Sequence, residues 1–421
     1  MNSRSIERLT SRLRRLSARP PAAIVLGNGS ASDLSVVRSF GRRRIPTVHL
    51  VANRTVGSFS GYGMRLRMPA VTDQPQAWLD VLGRIAAALR SPAVLFALMD
   101  EHCELIARSA EALRRGFRFV LPDAPTMERI LDKRRQYAAA EAAGIRVPRT
   151  LYPQSIEDLA SIAPGLRYPV ILKPYTSYVG RPRIGNLKVL VLDTADDLTA
   201  AFASCTAAGA RFMVQTIVPG ADDAIFWYSG FWDEESRERA WFTVQKLRQF
   251  PSGFGDGCFQ RTVDVPAVAD QSRRLLAAFR YRGLVMVEFK RDPVDGGYVL
   301  MEINPRPVSG NQLGISAGVD LAWTAYRHAL EPNADRQPPP SFRPNVTFVN
   351  EEWDILACWA LLAAKRLTLR AWLRSLLGTR SWAVSAWDDP TPALVGLGRM
   401  LRRIWISSRG SSKRHPTDSA S

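Results

Sequence analysis

The chain has 421 residues, is 46% hydrophobic and carries a formal charge of +18, enough apolar content to bury a sizeable core in two or three domains. Its four cysteines (Cys103, Cys205, Cys258 and Cys358) are scattered, which argues against a disulfide framework or a zinc site and for a reducing cytoplasm. The start lacks a signal-peptide core, and the apolar run Ile355–Ala364 is too short to span a bilayer, so the expectation is a soluble cytoplasmic protein.

Much of the excess charge sits at the ends. Arg4, Arg8, Arg12, Arg14, Arg15 and Arg19 face only Glu7 in the first twenty residues, and Arg399, Arg402, Arg403, Arg409, Lys413 and Arg414 crowd the last stretch. Residues 1–21 therefore read as a solvated basic tail. A nucleic-acid interface would interleave aromatics with cations across a working face, so no nucleic-acid partner is expected.

Residues 22–125 alternate strand and helix signals. Strands are expected at Ala22–Gly27, Thr47–Ala52, Ala93–Met99 and Phe117–Leu121, with helices at Ser32–Phe40, Gln76–Leu89 and Glu101–Arg115. Such alternation predicts an open parallel sheet with helices on both faces. Gly27-Asn28-Gly29 lacks the third glycine of a dinucleotide fingerprint, and Asn53-Arg54 stand where an acid would close the second strand, which excludes NAD. The loop reads as a tight strand-to-helix turn, with presentation of backbone N–H groups to an anion as the second reading.

Residues 126–150 read as a helix ending at Gly144, with Lys133 beside Asp132, followed by extended Val147-Pro148. Tyr168–Pro174 is a strand with Lys173 near its end. The loop Tyr175–Asn186 carries Gly180 and Gly185, and the strand Leu187–Leu192 follows, so the three make a plausible lid over phosphates. After a helix at Leu198–Ala208 come a strand at Phe212–Val218, the pair Asp222-Asp223, and strands at Ile225–Trp232 and Arg239–Gln245. Lys246, Arg248, the glycine-rich Ser252–Gly257 and Arg261 complete the run, and a helix then extends to about Arg282.

Leu284–Phe289 and Tyr298–Asn304 form a hairpin across Asp292–Gly297. Alternation puts Met286 and Glu288 on one face of the first strand, and Leu300, Glu302 and Asn304 on one face of the second. A carboxylate in an apolar strand is costly unless paired or bound to metal. Glu288, Glu302 and Asn304 together offer three oxygen ligands suited to a hard cation such as Mg²⁺, with Mn²⁺ as a substitute. The alternative is a solvated face whose acids pair with Arg291 and Arg306. In an arginine-rich chain the seven lysines also stand out, since a compact ammonium suits phosphate.

Read in order, Asp132-Lys133, VILKP with Lys173, VQTIVPG with Asp222, Lys246-Leu247-Arg248, VEFK with Glu288 and MEINPRP with Glu302 and Asn304 resemble the ATP-grasp superfamily. Within it the chain looks most like predicted carboxylate–amine ligases of the D-aspartate ligase type. The resemblance covers roughly Ala22 to Leu330. It implies an α/β and α+β architecture: a Rossmann-like N-terminal (pre-ATP-grasp) domain over 22–125, then an ATP-grasp domain over 126–335 with its lid at about 168–250.

The resemblance also implies roles. Lys133 and Lys173 would meet the nucleotide phosphates. The segment Gln215, Thr216, Ile217 and Val218 would hydrogen-bond adenine through its backbone, and Asp222 or Asp223 would hold the ribose. Glu288, Glu302 and Asn304 would ligate Mg²⁺. ATP would activate a small-molecule carboxylate as an acyl phosphate for attack by an amine, with ADP and phosphate released. Arg306 is placed on the acceptor carboxylate or acyl phosphate (an ion pair with Glu302 being the alternative), and Lys246, Arg248 or Arg261 on the γ-phosphate. Two departures stand out: Thr216 replaces an acid common in relatives, and the lid TSYVGRPRIGN carries Arg181 and Arg183 where glycines are usual.

Residues 336–421 are expected to form a proline-rich linker and a basic helical C-terminal extension, with helical patterns at Glu351–Leu376 and Leu394–Ile406. These helices either pack on the body with arginines outward or lie on an anionic membrane at its inner face. Two rival functions remain: an ATP-grasp protein that binds nucleotide in a regulatory or scaffolding role without ligation, and a basic nucleic-acid binder. Substrate identity and homo-oligomerisation are not set by the sequence.

Overall fold

The computed structural model describes residues 3–16, 20–207, 209–332 and 341–411. Arg19, Ala208, the middle of the proline-rich stretch, and Lys413 and Arg414 lie outside them. Five parallel strands, β1 (Ala23–Gly27), β2 (Thr47–Val51), β3 (Met64–Arg67), β4 (Ala93–Ala97) and β5 (Phe117–Arg118), form a sheet in the order β3-β2-β1-β4-β5. Every residue of β1, β2 and β4 is buried, as strands covered by helices on both faces must be. The chain runs from β1 outward to β2 and returns beside β1 as β4. A crevice therefore opens at the carboxyl ends of β1 and β4, where helices leave in opposite directions.

The first segment is not a solvated tail. Ser3–Leu16 is a helix whose Ile6, Leu9 and Leu13 share one face and are buried in the same core as Leu66 and Trp78. Arg4, Arg8, Arg12, Arg14 and Arg15 take its outer face. Apolar residues spaced i, i+3, i+7 carry this signal, which the dense arginines obscure.

A second sheet of four antiparallel strands runs β6 (Thr150–Leu151), β9 (Phe212–Thr216), β7 (Val170–Pro174), β8 (Leu190–Leu192). Two helices, Ile156–Ile162 and Ala195–Thr206, cover it through Leu159, Leu198 and Phe202. This sheet, called the lid below, does not have the expected bounds 168–250. It begins at Thr150 and ends with β9, because β10 (Ile225–Trp232) and β11 (Glu238–Phe250) belong to the main sheet.

The main sheet has seven strands in the order β14-β13-β10-β11-β12-β15-β16, where β12 is Asp256–Thr262, β13 Gly283–Arg291, β14 Tyr298–Asn304, β15 Thr347–Val349 and β16 Ser381–Trp382. The last two strands lie in the expected C-terminal extension, which is thus built into the body. That stretch carries no strand signal, since strands of two and three residues are too short to show alternation. Arg38 of the first domain fixes it further: the buried guanidinium donates to Asp389 Oδ2 at 2.9 Å, to Val384 O at 2.8 Å and to Asp389 O at 2.9 Å. One hydrophobic core runs through the first domain, the main sheet and the C-terminal part, joining Phe40 and Phe96 to Trp227, Phe242, Phe348 and Ala383, while the four-stranded sheet keeps a core of its own. Among the described residues, no helix is long and apolar enough to cross a membrane.

The helix expected through 126–144 is two helices, Ala124–Leu131 and Lys133–Ala142, broken at Asp132. Asp132 leaves helical geometry (φ −87°, ψ 109°), and its carboxylate caps the second helix, accepting from Arg134 N at 2.9 Å and Arg135 N at 3.2 Å. The cap sets Lys133 at the first helical position, facing inward. Asp132→Ala is expected to lower stability by about 1 kcal/mol in urea denaturation.

Candidate active site

A cleft of about 340 Å³ lies where the N-terminal domain, the lid and the main sheet meet. Asn28 and Ser30 after β1, and Asp100 after β4, reach it from the crevice of the first sheet. The turn Gly27–Ser30 is held by Asp33, which accepts from Gly29 N at 2.6 Å and Ser30 Oγ at 2.9 Å. A Cβ on Gly27 would sit 2.0 Å from Asp33 Oδ2, so the glycine makes room for that carboxylate. The tight-turn reading of this loop holds, and the Gly29 N–H is spoken for.

The hairpin supplies the carboxylates. Glu288 pairs directly with Glu302, and Met286 with Asn304. A bulge then shifts the register so that Phe289 faces Leu300. Glu302 and Asn304 share the cleft face with Glu288, as alternation predicts. Leu300 does not: the bulge turns it into the core with Val287 and Phe289, and Met301 takes the cleft side.

Cations surround these acids. Lys246 on β11 contacts Glu288 at 2.7 Å. Lys133 donates to Ser177 Oγ at 2.7 Å, and Lys173 to Tyr137 Oη at 3.1 Å and Met301 O at 3.3 Å. Burial pushes both the Lys133 and the Lys173 ammonium below the usual range, while Glu302 pulls the other way. Burial raises the Glu302 carboxyl, but Lys188, Lys133 and Lys173, with the Asn304 amide, outweigh it and hold that carboxyl well below the ordinary carboxylate range. Asn304 Nδ2 donates to Glu302 Oε1 at 3.0 Å.

Arg306 lines the cleft but does not pair with Glu302. Its Nε lies 2.6 Å from Asp100 Oδ1, and its Nη2 donates to Asn304 Oδ1 at 3.3 Å. Burial works against its charge; the nearby Asp100 more than compensates and raises its pKa. The pair ties the main sheet to the carboxyl end of β4.

Gln215, Thr216, Ile217 and Val218 line the lid side of the cleft. Thr216 N donates to Arg149 O at 3.0 Å, and Val218 O accepts from Lys290 Nζ at 2.8 Å. Gln215 Nε2 donates to Thr150 Oγ1, while its buried Oε1 has no hydrogen-bond partner.

Four expected site residues sit elsewhere. Arg248 is turned away by bulges on either side of it and forms a buried bidentate pair with Asp354 (2.8 and 2.9 Å). Arg261 faces away with Gln245, to which it donates at 2.9 Å, while its neighbour Gln260 faces the cleft. Asp222 does not line the cleft; it pins the glycine-rich loop, accepting from Gln249 Nε2 at 2.8 Å, Ser252 Oγ at 3.0 Å and Gly253 N at 2.9 Å. Asp223 does not line the cleft either, and its carbonyl accepts from Gln245 Nε2 at 2.9 Å. The γ-phosphate role for Arg248 and Arg261, and the ribose role for either aspartate, have no geometric support.

Sequence reading missed Lys188, Asp100, Asp256, Gln249 and Gln260. Lys188 bridges the lid to the glycine-rich loop, 2.7 Å from Asp256 and 3.2 Å from Gly255 O. Asp100, the acid closing the apolar run of β4, was open to detection. Gln249 and Gln260 were hidden by the register shifts between β11 and β12.

Among the described residues, no three His, Cys, Asp or Glu side chains gather as a metal cluster. Two carboxylates and one amide remain, an all-oxygen set that fits a hard cation which keeps positions for water and phosphate. A five-stranded parallel sheet, a four-stranded antiparallel lid and a seven-stranded sheet thus close on a cleft with Lys173 and Lys188 on the lid side, and Glu288, Glu302 and Lys246 on the sheet side.

The comparisons agree with that architecture. Residues 236–352 match the model for an ATP-grasp in the biosynthetic pathway with Ter operon. An L-amino acid ligase from Bacillus licheniformis superposes with a TM-score of 0.57 at 14% identity, covering 74% of this chain and 75% of that one. The N5-carboxyaminoimidazole synthetase from Staphylococcus aureus superposes with a TM-score of 0.59 at 13% identity, covering 78% and 82%. The chain has the ATP-grasp fold. In sequence, this ATP-grasp chain is 25% identical over 240 residues to the D-aspartate ligase of Enterococcus faecium (strain Aus0004), across 54% of its own length. It spans about half the length of that curated relative, 56%.

Proposed function

We propose that the protein is an ATP-dependent ligase that joins a small-molecule carboxylate to an amine through an acyl phosphate. The observation that carries this reading is the convergence of Glu288, Glu302 and Asn304 on one face, opposite Lys133 and Lys173, at a three-way cleft. The relatives named as ligases support it. Glu288, Glu302 and Asn304 would hold Mg²⁺ (or Mn²⁺), which supplies charge neutralisation and orientation to terminal phosphate oxygens.

Lys133 and Lys173 are buried cations that would meet the phosphates, and Lys246, paired with Glu288, would serve the γ-phosphate if Glu288 were to hold a cation. With Thr216 N–H and Val218 O already used, adenine hydrogen bonding falls to Ile217 and the Val218 N–H. A carboxylate oxygen attacks the γ-phosphorus, and the bond to the β–γ bridging oxygen breaks, its electron pair leaving with ADP. The amine nitrogen then attacks the acyl carbon, phosphate leaves with the C–O pair, and the surplus proton goes to solvent. The residues contribute mainly position and fixed charge.

Arg306, held by Asp100, would receive the acceptor carboxylate or the acyl phosphate. Arg306→Ala is expected to lower kcat by about 100-fold at saturating substrates. Unchanged turnover removes Arg306 from the reaction. The reading as a whole is tested by ADP release from Mg²⁺-ATP against panels of amino acids and small dicarboxylates. Stimulation by one acid–amine pair supports ligation; nucleotide binding with no stimulation by any pair favours a regulatory ATP-grasp protein.

A further inference from the structure

The helix Leu369–Leu376 is only half used by the fold. Trp372 donates through Nε1 to Asp354 at 2.8 Å, and Ser375 Oγ accepts from Arg248 Nη1 at 2.9 Å, so one side is anchored to the body. The other side carries Leu369 and Leu373 one turn apart, with Leu377 following, exposed to 54%, 52% and 79%. The helix Glu351–Ala363, which packs against it, adds Trp359 at 69% exposure. Scattered exposed leucines are ordinary, but a helical apolar stripe fixed outward by its own anchors is not.

The charge around the stripe is one-sided. From Ile355 to Trp387 there is no aspartate or glutamate, while Lys365, Arg366, Arg370, Arg374 and Arg380 all occur there and are exposed. Arg370 and Arg374 lie one turn apart along the edge of the leucine stripe. A surface for an ordinary protein partner would need no such exclusion of carboxylates. Leucine and tryptophan beside an unbroken set of cations match the chemistry of a bilayer interface: acyl chains below, anionic headgroups above.

We infer that this helical face docks the protein on an anionic lipid surface, peripherally and without insertion of a spanning segment. Asn350 and Trp353, at the start of the helix Glu351–Ala363, line the cleft, and that helix is about 20 Å long at 1.5 Å per residue. Docking therefore holds the cleft close to the headgroups, and it is a property separate from the chemistry of the cleft.

The test is co-sedimentation of the full chain with vesicles of phosphatidylglycerol and phosphatidylcholine, against vesicles of phosphatidylcholine alone. Binding to the first only, weakened by salt, is expected. Arg370→Glu with Arg374→Glu should cut partition about 10-fold or more, given the worth of each cation at an anionic surface. Leu373→Ser with Leu377→Ser should also weaken it. These exposed positions leave the body intact, and unchanged thermal unfolding verifies that. Equal partition to both vesicle types, no partition to either, or partition indifferent to both double variants overturns the inference. So does a dimer dissolved by Leu373→Ser with Leu377→Ser, which assigns the face to a second copy.

Discussion

Glu302→Ala is expected to lower Mg²⁺-dependent turnover by about 100- to 1000-fold while leaving binding of metal-free ATP in place. Glu302 lies directly across the hairpin from Glu288 and accepts from Asn304, so its loss takes one of two carboxylates and unseats the amide. The same carboxylate is the counter-charge for Lys188, Lys133 and Lys173. Removing it leaves those cations less balanced, which favours a polyanion and disfavours a metal. Nucleotide affinity in chelator should thus hold steady or rise as the magnesium-dependent increment vanishes. Equilibrium binding with and without magnesium, beside steady-state turnover, separates the two. Parallel losses in both conditions point to simple misfolding, and an unaffected turnover contradicts the assignment.

Arg248→Ala should cost about 3–5 kcal/mol of stability, because it strands a buried carboxylate. Asp354 is 1% exposed, and both its oxygens are engaged by Arg248, with Trp372 Nε1 as the third donor. The guanidinium also stacks 4.1 Å from the Phe259 ring centroid and reaches Ser375. One residue thus binds β11, β12 and two C-terminal helices. Asp354→Ala should cost a similar amount, and the double variant less than the sum, measured by urea unfolding. Nucleotide affinity of the folded fraction should be unchanged. A selective loss of ATP affinity with normal stability restores Arg248 to the phosphate site.

The contrast between Lys246 and Arg248 shows where sequence reading stops. Both follow an apolar strand at the right distance for a phosphate ligand, and only local bulges decide that one enters the cleft and the other the C-terminal interface. Bulges leave little trace in a residue pattern. The hairpin acids were legible because Glu288, Glu302 and Asn304 are polar residues in apolar strands, whose cost demands a partner. Leu300 was misplaced by one face for the same reason that Arg248 was. The Rossmann-like domain was legible from the buried, mostly apolar runs of β1, β2 and β4, whereas β3 was missed because MRLR is only four residues long, too short for Leu66 between exposed Arg65 and Arg67 to stand out. The C-terminal strands were invisible because the pairing of β15 with β12, and of β16 with β15, is decided by long-range packing, with Arg38 and Asp389 clasping residues 351 apart. Lys133 is a middle case: within an expected single helix it reads as an ordinary surface lysine, and only the break and cap at Asp132 turn it inward.

The central claim is that Glu288, Glu302 and Asn304 gather a divalent cation carrying a nucleotide's terminal phosphates. Titration calorimetry of the full chain with a non-hydrolysable ATP analogue, in magnesium and then in chelator, tests it most directly. A saturable heat that strengthens with magnesium, and whose magnesium increment disappears in Glu302→Ala, is the predicted result. Binding that is identical with and without magnesium, or no binding at all, contradicts it.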